Sequence, residues 1–351
     1  MAYTTIDNPE LYFQTKLYTG NGSSRSITLD GSENMQPDWV WIKNRGGTYA
    51  SPTFDSVRGT TKFLETNDST AEQTDSNTLT SFNSNGFSLG SDGNSYVNRS
   101  SSPNTYVAWN WKAGGSASSN TDGDVTASVS ANTTAGFSIV KFTSSSSSGA
   151  MTVGHGLGAT PQVVIVKDIG ASGNWQTYFE GIGTANQQYL KLNATDAVTN
   201  ISGLWGAGMT SSVIGIGVGV AVDANESDIA YCFAEKKGYS KFGKYTGNGN
   251  ADGPFVYTGF RPAWVLQKNT GATQGWQLQD NKRLGYNPDN YLLQPHTTQS
   301  ESALQRVDLL SNGFKVRTTD AGQNSSGTTY IYAAFAESPF VNSNGVPTNA
   351  R

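Results

Sequence analysis

An internal repeat constrains the fold of this chain more than any other feature. Three landmarks recur in the same order: an aromatic residue followed by threonine, an apolar segment running from proline to lysine, and a terminal segment rich in aromatics and alanine. The spacing between the first two copies is 124 residues for all three landmarks, and between the last two it is 101 to 103 residues. The corresponding residues are Tyr18, Phe142 and Tyr245; Pro37, Pro161 and Pro262; and Trp109, Phe233 and Phe335. Chance similarity would not keep three landmarks in step, so the chain contains three copies of one unit.

A turn motif is shared by the first and third copies only. Ser84-Asn-Gly-Phe87 and Ser311-Asn-Gly-Phe314 place residues that tolerate positive φ just before a strand. The second copy has roughly Ser211-Ser-Val213 at this place. We therefore expect that the second copy has diverged or that an insertion has remodelled this hairpin.

The repeat predicts the domain organisation. We expect an N-terminal arm at 1–16, β domains at 17–115, 125–242 and 243–340, a flexible linker at 116–124, and a C-terminal tail at 341–351. Units of this size are typical of small independent domains rather than of solenoid repeats, which predicts beads on a string. The short boundary near Gly243 predicts that the second and third domains pack as a pair. The arm is either an attachment segment or a frayed terminus.

The residue pattern indicates an all-β fold. Only 14% of the residues are charged, against about 25% in a typical domain, which disfavours long solvated helices. In the first proline-led segment, Trp39 and Trp41 point to one face and Val40 and Ile42 to the other, as in a central strand covered on both sides. The terminal segment Ile331–Glu337 could be helical, but its Ser, Gly, Thr and Pro flanks favour a strand. We predict antiparallel β-sandwiches of jelly-roll or Greek-key type.

Charge, cysteine content and hydropathy exclude several classes of protein. The net charge is −4 and no basic stripe is present, so nucleic-acid binding is not expected, and Lys236 and Lys237 are interpreted as a solvated loop. The single cysteine, Cys232, rules out an intramolecular disulfide and favours folding in a reducing compartment. The N-terminus lacks the features of a secretory signal, and the most apolar stretch, 213–222, is short of the ~20 residues of a membrane helix. We expect no membrane insertion.

The histidines do not form a recognisable catalytic or metal motif. His155 and His296 are the only two, and with one cysteine the ligand count for a zinc site fails. A Ser/His/Asp triad remains open on spacing, although no Gly-x-Ser-x-Gly elbow accompanies either histidine. We interpret both as ordinary loop residues.

The acidic residues and tryptophans are weighed in the same way. Carboxylate pairs could hydrolyse a glycoside, but nothing in the sequence singles out two of Glu180, Asp223, Glu226 and Asp228. Asp122 and Asp124 could bind Ca²⁺, yet a solvated linker explains them better. Trp175 and Trp276 each lie 14 residues after their proline, and this recurrence favours core packing over sugar stacking. We therefore predict no enzyme activity, no catalytic or metal-binding residues and no cofactor, and leave the ligand-binding residues open.

Several segments resemble uncharacterised repeated domains of marine tailed bacteriophages. The similarity is strongest over residues ~137 to 340, in the segments 231–245, 253–265 and 330–340. Such proteins are treated as virion or tail-fibre components, so the resemblance implies a virion protein assembled in the host cytoplasm. It supplies no catalytic residues.

The resemblance leaves three functions to weigh. The leading one is a tail fibre or host-receptor-binding protein, with other virion proteins and a host surface glycan or protein as partners, and a homotrimer by analogy. The alternatives are a capsid decoration or tail-knob component without receptor role, and a polysaccharide-degrading tailspike. Long β-helical repeats usually mark tailspikes, and units of ~110 residues argue against them.

Overall fold

The chain folds into six antiparallel sheets, as a computed structural model of residues 3–94, 96–183, 186–283, 287, 291–304 and 306–348 shows. Every strand pairing between named strands is antiparallel, and the helical structure of the described residues is one 3-10 turn, Pro9–Leu11. The all-β prediction is confirmed. Each sheet contains strands from one repeat only, and each repeat contributes an inner sheet, which faces the other repeats, and an outer sheet.

Repeat 1 contains nine strands within its described residues. They are β1 (Phe13–Thr19), β2 (Arg25–Thr28), β3 (Trp39–Asn44), β4 (Pro52–Asp55), β5 (Lys62–Glu65), β6 (Gln73–Thr74), β7 (Leu79–Asn83), β8 (Gly86–Leu89) and β9 (Thr105–Trp111). The inner sheet has the order β1-β9-β3-β4-β5-β6 and the outer sheet the order β2-β8-β7. Consecutive strands β1, β2 and β3 alternate between the two sheets, which is a feature of jelly-roll connectivity.

Ten strands form in the residues of repeat 2 that the structure describes. They are β10 (Ser118–Asn120), β11 (Ala127–Asn132), β12 (Phe137–Thr143), β13 (Gly149–Gly154), β14 (Val163–Asp168), β15 (Gln176–Phe179), β16 (Gln188–Lys191), β17 (Thr199–Asn200), β18 (Val213–Val218) and β19 (Ser227–Phe233). The inner sheet has the order β10-β11-β12-β19-β14-β15-β16-β17, and the outer sheet is the pair β13-β18. This pair replaces the three-stranded outer sheet of repeat 1, as expected from the missing turn motif.

The described part of repeat 3 contains seven strands. They are β20 (Ser240–Thr246), β21 (Phe255–Tyr257), β22 (Phe260–Asn269), β23 (Gln277–Asp280), β24 (Val307–Leu310), β25 (Gly313–Val316) and β26 (Thr329–Pro339). The inner sheet has the order β20-β26-β22-β23 and the outer sheet the order β21-β25-β24. The terminal segment Ile331–Glu337 lies in β26, so the strand interpretation is confirmed. Pro262 lies at a bulge in β22, where a residue without a backbone donor is tolerated.

Two kinds of apolar core hold the molecule together. Each repeat has its own core between its two sheets, for example around Val40, Ile42 and Phe87 in repeat 1. The opposite faces of the inner sheets meet in a fourth core that all three repeats share. In this central core Trp39 lies 4.6 Å from both Trp111 and Tyr231, ring centroid to centroid. The proline-led strands are therefore central and covered on both faces, as predicted.

The shared core corrects the picture of beads on a string. Aromatic contacts join repeat 1 to repeat 2 through Trp39 and Phe233, and repeat 1 to repeat 3 through Trp111 and Trp264. Phe233 and Phe335 join repeat 2 to repeat 3, with ring centroids 5.8 Å apart. The second and third repeats are thus not a separate pair. Large apolar side chains on the inner sheets explain this arrangement, because isolated domains would leave them in water.

Three segments expected to be peripheral are structured. Within the predicted linker 116–124, Ser118–Asn120 forms β10 and pairs with β11. Within the predicted arm, Ile6 and Phe13 are buried in the central core. In the predicted tail, Val341 and Pro347 form a bridge that folds the segment back on itself. The arm is buried because it carries apolar residues. It is therefore neither an extended attachment segment nor a frayed terminus.

The register of the terminal strands corrects one landmark. Trp39 lies opposite Trp111, whereas Val163 lies opposite Phe233 and Trp264 opposite Phe335. The residue of repeat 1 that corresponds to Phe233 is therefore Trp111 and not Trp109. The correspondence of the repeats was therefore wrong by two residues at this landmark. The sequence did not reveal the error, because a shift of two residues keeps every side chain on the same face of a strand.

Candidate binding surface

The two histidines are buried and hydrogen-bonded. The Nδ1 atom of His155 accepts from the Leu157 amide, so Nε2 carries the proton and donates to the Thr210 carbonyl at 3.2 Å. The Nδ1 atom of His296 accepts from the Trp276 amide, and burial together with Lys268 and Lys43 lowers the pKa of His296 to about 4. Both are neutral residues that hold loops in place. In the described part of the chain, no group of three or more His, Cys, Asp or Glu side chains is arranged to hold a metal.

The acidic candidates separate into three places. Asp124 accepts hydrogen bonds from the amide and the hydroxyl of Thr152, so it fixes a turn. Glu180 is exposed after β15. Asp223 and Glu226 lie in the loop that precedes β19. The buried Asp228 is the second residue of β19. Sequence reasoning did not single out the partner that the structure gives Asp228, which is Asp168 on the neighbouring strand β14.

Two buried Asp–Arg pairs lie where the repeats meet. Asp55 bonds Arg58 within repeat 1 and accepts from the Tyr231 hydroxyl of repeat 2 at 2.8 Å. Asp280 bonds Arg283 within repeat 3 and accepts from the Trp109 indole of repeat 1 at 2.9 Å.

The contact between repeats 2 and 3 has apolar residues at the same positions. Register places Phe179 and Ile182 where the other repeats have Asp and Arg, and places Ala333 where they have Tyr231 and Trp109. The three contacts therefore form one closed cycle, from repeat 1 to 2, 2 to 3 and 3 to 1.

A buried lysine lies at the end of each proline-led strand, and two of the three bond across contacts between repeats. The Lys43 amine donates to the Thr297 carbonyl of repeat 3, and the Lys268 amine donates to the Asp196 carbonyl of repeat 2 at 2.8 Å. The Lys167 amine donates within its own repeat. Burial lowers the pKa of Lys43 to about 7 and that of the other two to about 8. These amines fasten neighbouring loops.

The repeated tryptophans belong to the core, as the sequence favoured. Trp175 is fully buried and its indole nitrogen donates to the Glu65 carbonyl of repeat 1 at 3.0 Å. Trp276 is buried and donates to the Lys191 carbonyl of repeat 2 at 2.9 Å. Neither indole is available to stack on a sugar.

One exposed aromatic pair does face solvent. Phe255 and Tyr257 are 46% and 53% exposed, and they alternate along β21 so that both project from the outer sheet of repeat 3. Strand β21 is the edge of that sheet. Gly313 lies opposite Tyr257 and Lys315 opposite Phe255, and the Phe255 ring lies over Gly313. We call this surface the aromatic face.

Polar groups surround the aromatic face. The Tyr257 hydroxyl lies 3.2 Å from the Tyr3 hydroxyl, which in turn donates to the Gly259 carbonyl. Lys315 bonds Asp252 at 2.8 Å, and Arg317 bonds Asp308 at 3.2 Å. Flat apolar rings flanked by paired charges and hydroxyls can hold a ligand that has both an apolar face and many hydroxyl groups.

The aromatic face is specific to repeat 3. Register places Ser26 and Thr28 of β2 at the positions of Phe255 and Tyr257, and the outward side chains of β13 are Ala150 and Thr152. Sequence reasoning missed this pair. The signal was present in the repeat itself, since outward aromatic residues occur in one copy where another copy has small polar ones.

Comparison with known protein families gives a match to one family model. A model of the family described as "Domain of unknown function (DUF7483)" matches residues 8–339. This range begins beside the 3-10 turn and ends with β26, so it spans all three repeats as one unit. No curated protein and no solved structure matches the chain. No helix in the described ranges is long and apolar enough to cross a membrane.

Proposed function

This chain belongs to the DUF7483 family, whose description assigns no activity, and on that premise we propose an adhesive role in a bacteriophage virion. In this proposal it is a tail-fibre or receptor-binding component that contacts a host surface glycan through the aromatic face. The observation that carries the proposal is the exposure of Phe255 and Tyr257 on one face of an edge strand.

Physical reasons favour a binding role for these two residues. Two neighbouring exposed aromatic rings on one face form an apolar patch, and its burial against a partner would release free energy. Aromatic side chains commonly dominate binding energy where they become buried on contact. The absence of catalytic motifs in the sequence and the resemblance to tail-fibre domains support a non-enzymatic adhesin.

A structural role is the second candidate. A capsid decoration or tail-knob protein would bury the same aromatic face against another virion protein. The surrounding charges are mutually paired, as in Lys315–Asp252 and Arg317–Asp308, so they can serve either a glycan or a polar protein surface. Measurement of adsorption separates the two candidates.

The test is adsorption competition with purified protein. Host cells are incubated with the chain before phage are added, and free phage are counted over time. We expect dose-dependent blocking by the natural chain. The Phe255→Ser/Tyr257→Thr variant, which carries the residues of repeat 1, should need at least about tenfold more protein, because each buried aromatic contributes about 1 kcal/mol or more.

The control removes an exposed apolar side chain elsewhere. Val220 is 40% exposed in repeat 2, and Val220→Ser should block adsorption as well as the natural chain does. Unchanged adsorption with a natural chain that still co-purifies with particles would favour the structural candidate. Equal blocking by the double variant would show that recognition lies elsewhere on the chain.

A further inference from the structure

Two aspartates face each other inside repeat 2. Asp168 on β14 lies directly opposite Asp228 on β19, which places their Cβ atoms about 5 Å apart. Asp228 is fully buried, and neither of its carboxylate oxygens has a hydrogen-bond partner among the residues that the structure describes. Asp168 is 5% exposed, and one of its oxygens accepts from the Ala171 amide. A buried carboxylate without partners is costly unless something compensates it.

The other two repeats have different residues at this pair of positions. Asn44 and Tyr106 stand opposite each other in repeat 1, and Asn269 and Tyr330 in repeat 3. The tyrosine hydroxyls bond the preceding loops: the Arg99 amide donates to Tyr106, and Tyr330 donates to the Ala321 carbonyl.

The tyrosine rings are also fixed by stacking. The rings of Tyr106 and Tyr330 stack on Tyr18 and Tyr245, with centroids 5.1 and 5.0 Å apart. In repeat 2 a short carboxylate replaces the whole ring and an aspartate replaces the asparagine. The substitution removes volume and adds negative charge at one point.

Neighbouring groups compensate this charge only in part, because Lys167 interacts electrostatically with both carboxylates but hydrogen-bonds neither of them. The Lys167 amine donates to the carbonyls of Asp168 and Ala171 rather than to a carboxylate. The Ser144 hydroxyl lies close enough to Asp228 to lower the pKa of that carboxyl, but its shortest hydrogen bond is to the Asp223 carbonyl. Burial, Asp168, Glu226 and Asp223 raise the pKa of Asp228 to about 8, against the lowering effect of Ser144. The surroundings therefore disfavour a free anion at this place.

We infer that repeat 2 binds a divalent cation, Ca²⁺, between the carboxylates of Asp168 and Asp228. Two carboxylates match the charge of the ion, and Ca²⁺ accepts backbone carbonyls and water as its remaining ligands in flexible geometry. Side chains supply two ligands here, consistent with the lack of a larger ligand cluster in the described ranges. Mg²⁺, which demands near-ideal octahedral geometry, fits this pair less well.

The experiment measures thermal unfolding of chelator-treated protein at pH 7.5 by tryptophan fluorescence. Addition of CaCl₂ should raise the Tm by about 5 °C at a hundredfold excess over Kd, and MgCl₂ should raise it less. Isothermal titration should give one Ca²⁺ per chain. Asp228→Asn should abolish both effects, and Asp30→Asn, which removes an exposed carboxylate of repeat 1, should leave them unchanged.

A second variant distinguishes loss of Ca²⁺ binding from misfolding. Asp168→Asn/Asp228→Tyr reproduces the arrangement of repeats 1 and 3, and it should fold and be insensitive to Ca²⁺. The inference is overturned if neither ion changes the Tm and no binding heat is seen.

If neither ion binds, the carboxyl groups of Asp168 and Asp228 share a proton instead. Because the pKa of Asp228 is raised in the folded chain, stability would then fall as the pH rises from about 4 to about 8, and Asp228→Asn would remove most of that fall. Adsorption plays no part in these measurements, so the result is independent of the proposed function.

Discussion

Replacing Arg58 by leucine removes a cation that is buried where repeats 1 and 2 meet. The Arg58 side chain has no exposed surface, and its guanidinium bonds Asp55, the Thr53 carbonyl at 3.0 Å and Glu72 at 3.3 Å. Asp55 is equally buried and also accepts from Tyr231 of repeat 2. The substitution therefore strands a buried carboxylate in the interface.

The expected cost follows from that stranded charge. Breaking a buried ion pair by removal of one partner costs about 3 to 5 kcal/mol of the free energy of unfolding. With an m-value of about 3 kcal/mol/M for urea, the unfolding midpoint should fall by about 1 to 1.7 M. Because the lost contact joins two repeats, we expect the central core to loosen together with repeat 1.

The assay is equilibrium urea unfolding followed by tryptophan fluorescence. The matched control is Lys16→Met, which breaks the exposed pair of Lys16 and Asp30 and should cost less than about 1 kcal/mol. An Arg58→Leu variant that unfolds at the same urea concentration as the control would refute the reasoning about buried charge.

Repeat 2 offers an internal check on the same reasoning. Phe179 and Ile182 of repeat 2 and Ala333 of repeat 3 occupy the corresponding positions in the central core. The triple variant Asp55→Phe/Arg58→Ile/Tyr231→Ala copies this apolar solution, and buried ion pairs can be replaced by apolar residues at little cost. We expect it to be more stable than Arg58→Leu alone, and the opposite order would contradict the equivalence of the three contacts.

Three further predictions concern the core. An apolar cavity of about 40 Å³ lies in the central core beside Ala333, and Ala333→Val should add about 1 kcal/mol to the free energy of unfolding by filling it, measured in urea. Because burial lowers the pKa of Lys268 to about 8, unfolding takes up protons above that pH; stability should rise from pH 8 to about 10.5, and this rise should shrink in Lys268→Met. Burial raises the pKa of the Cys232 thiol to about 12, so a thiol reagent should label it only as fast as the chain unfolds.

The sequence predicted the unit and its strands because both depend on local patterns. The repeated landmarks locate β3, β14 and β22, and apolar residues on both faces of Trp39–Asn44 correctly indicate a central strand. Which elements cover each face of this strand depends on tertiary packing. Trp39 and Trp41 could have packed on a second sheet of their own repeat, and nothing local indicates that they join a core with Tyr231 and Trp264 instead.

The candidate sites were less accessible from sequence. Phe255 and Tyr257 alternate with Val256, a pattern that fits either a covered or an exposed face of a strand. Only the register against β25 identifies Ser26 and Thr28 as their counterparts. Asp168 and Asp228 are 60 residues apart in the chain, so their pairing depends entirely on the order of strands in the inner sheet.

The closed cycle of three repeats in one chain has a consequence for valency. A homotrimer presents three identical copies of every surface, whereas the fused repeats can vary independently while they keep the contacts between them. Among the residues that the structure describes, the aromatic face occurs once, in repeat 3, and the aspartate pair once, in repeat 2. If the aromatic face binds a receptor, one chain is monovalent, and any avidity of the particle must come from the number of chains it displays.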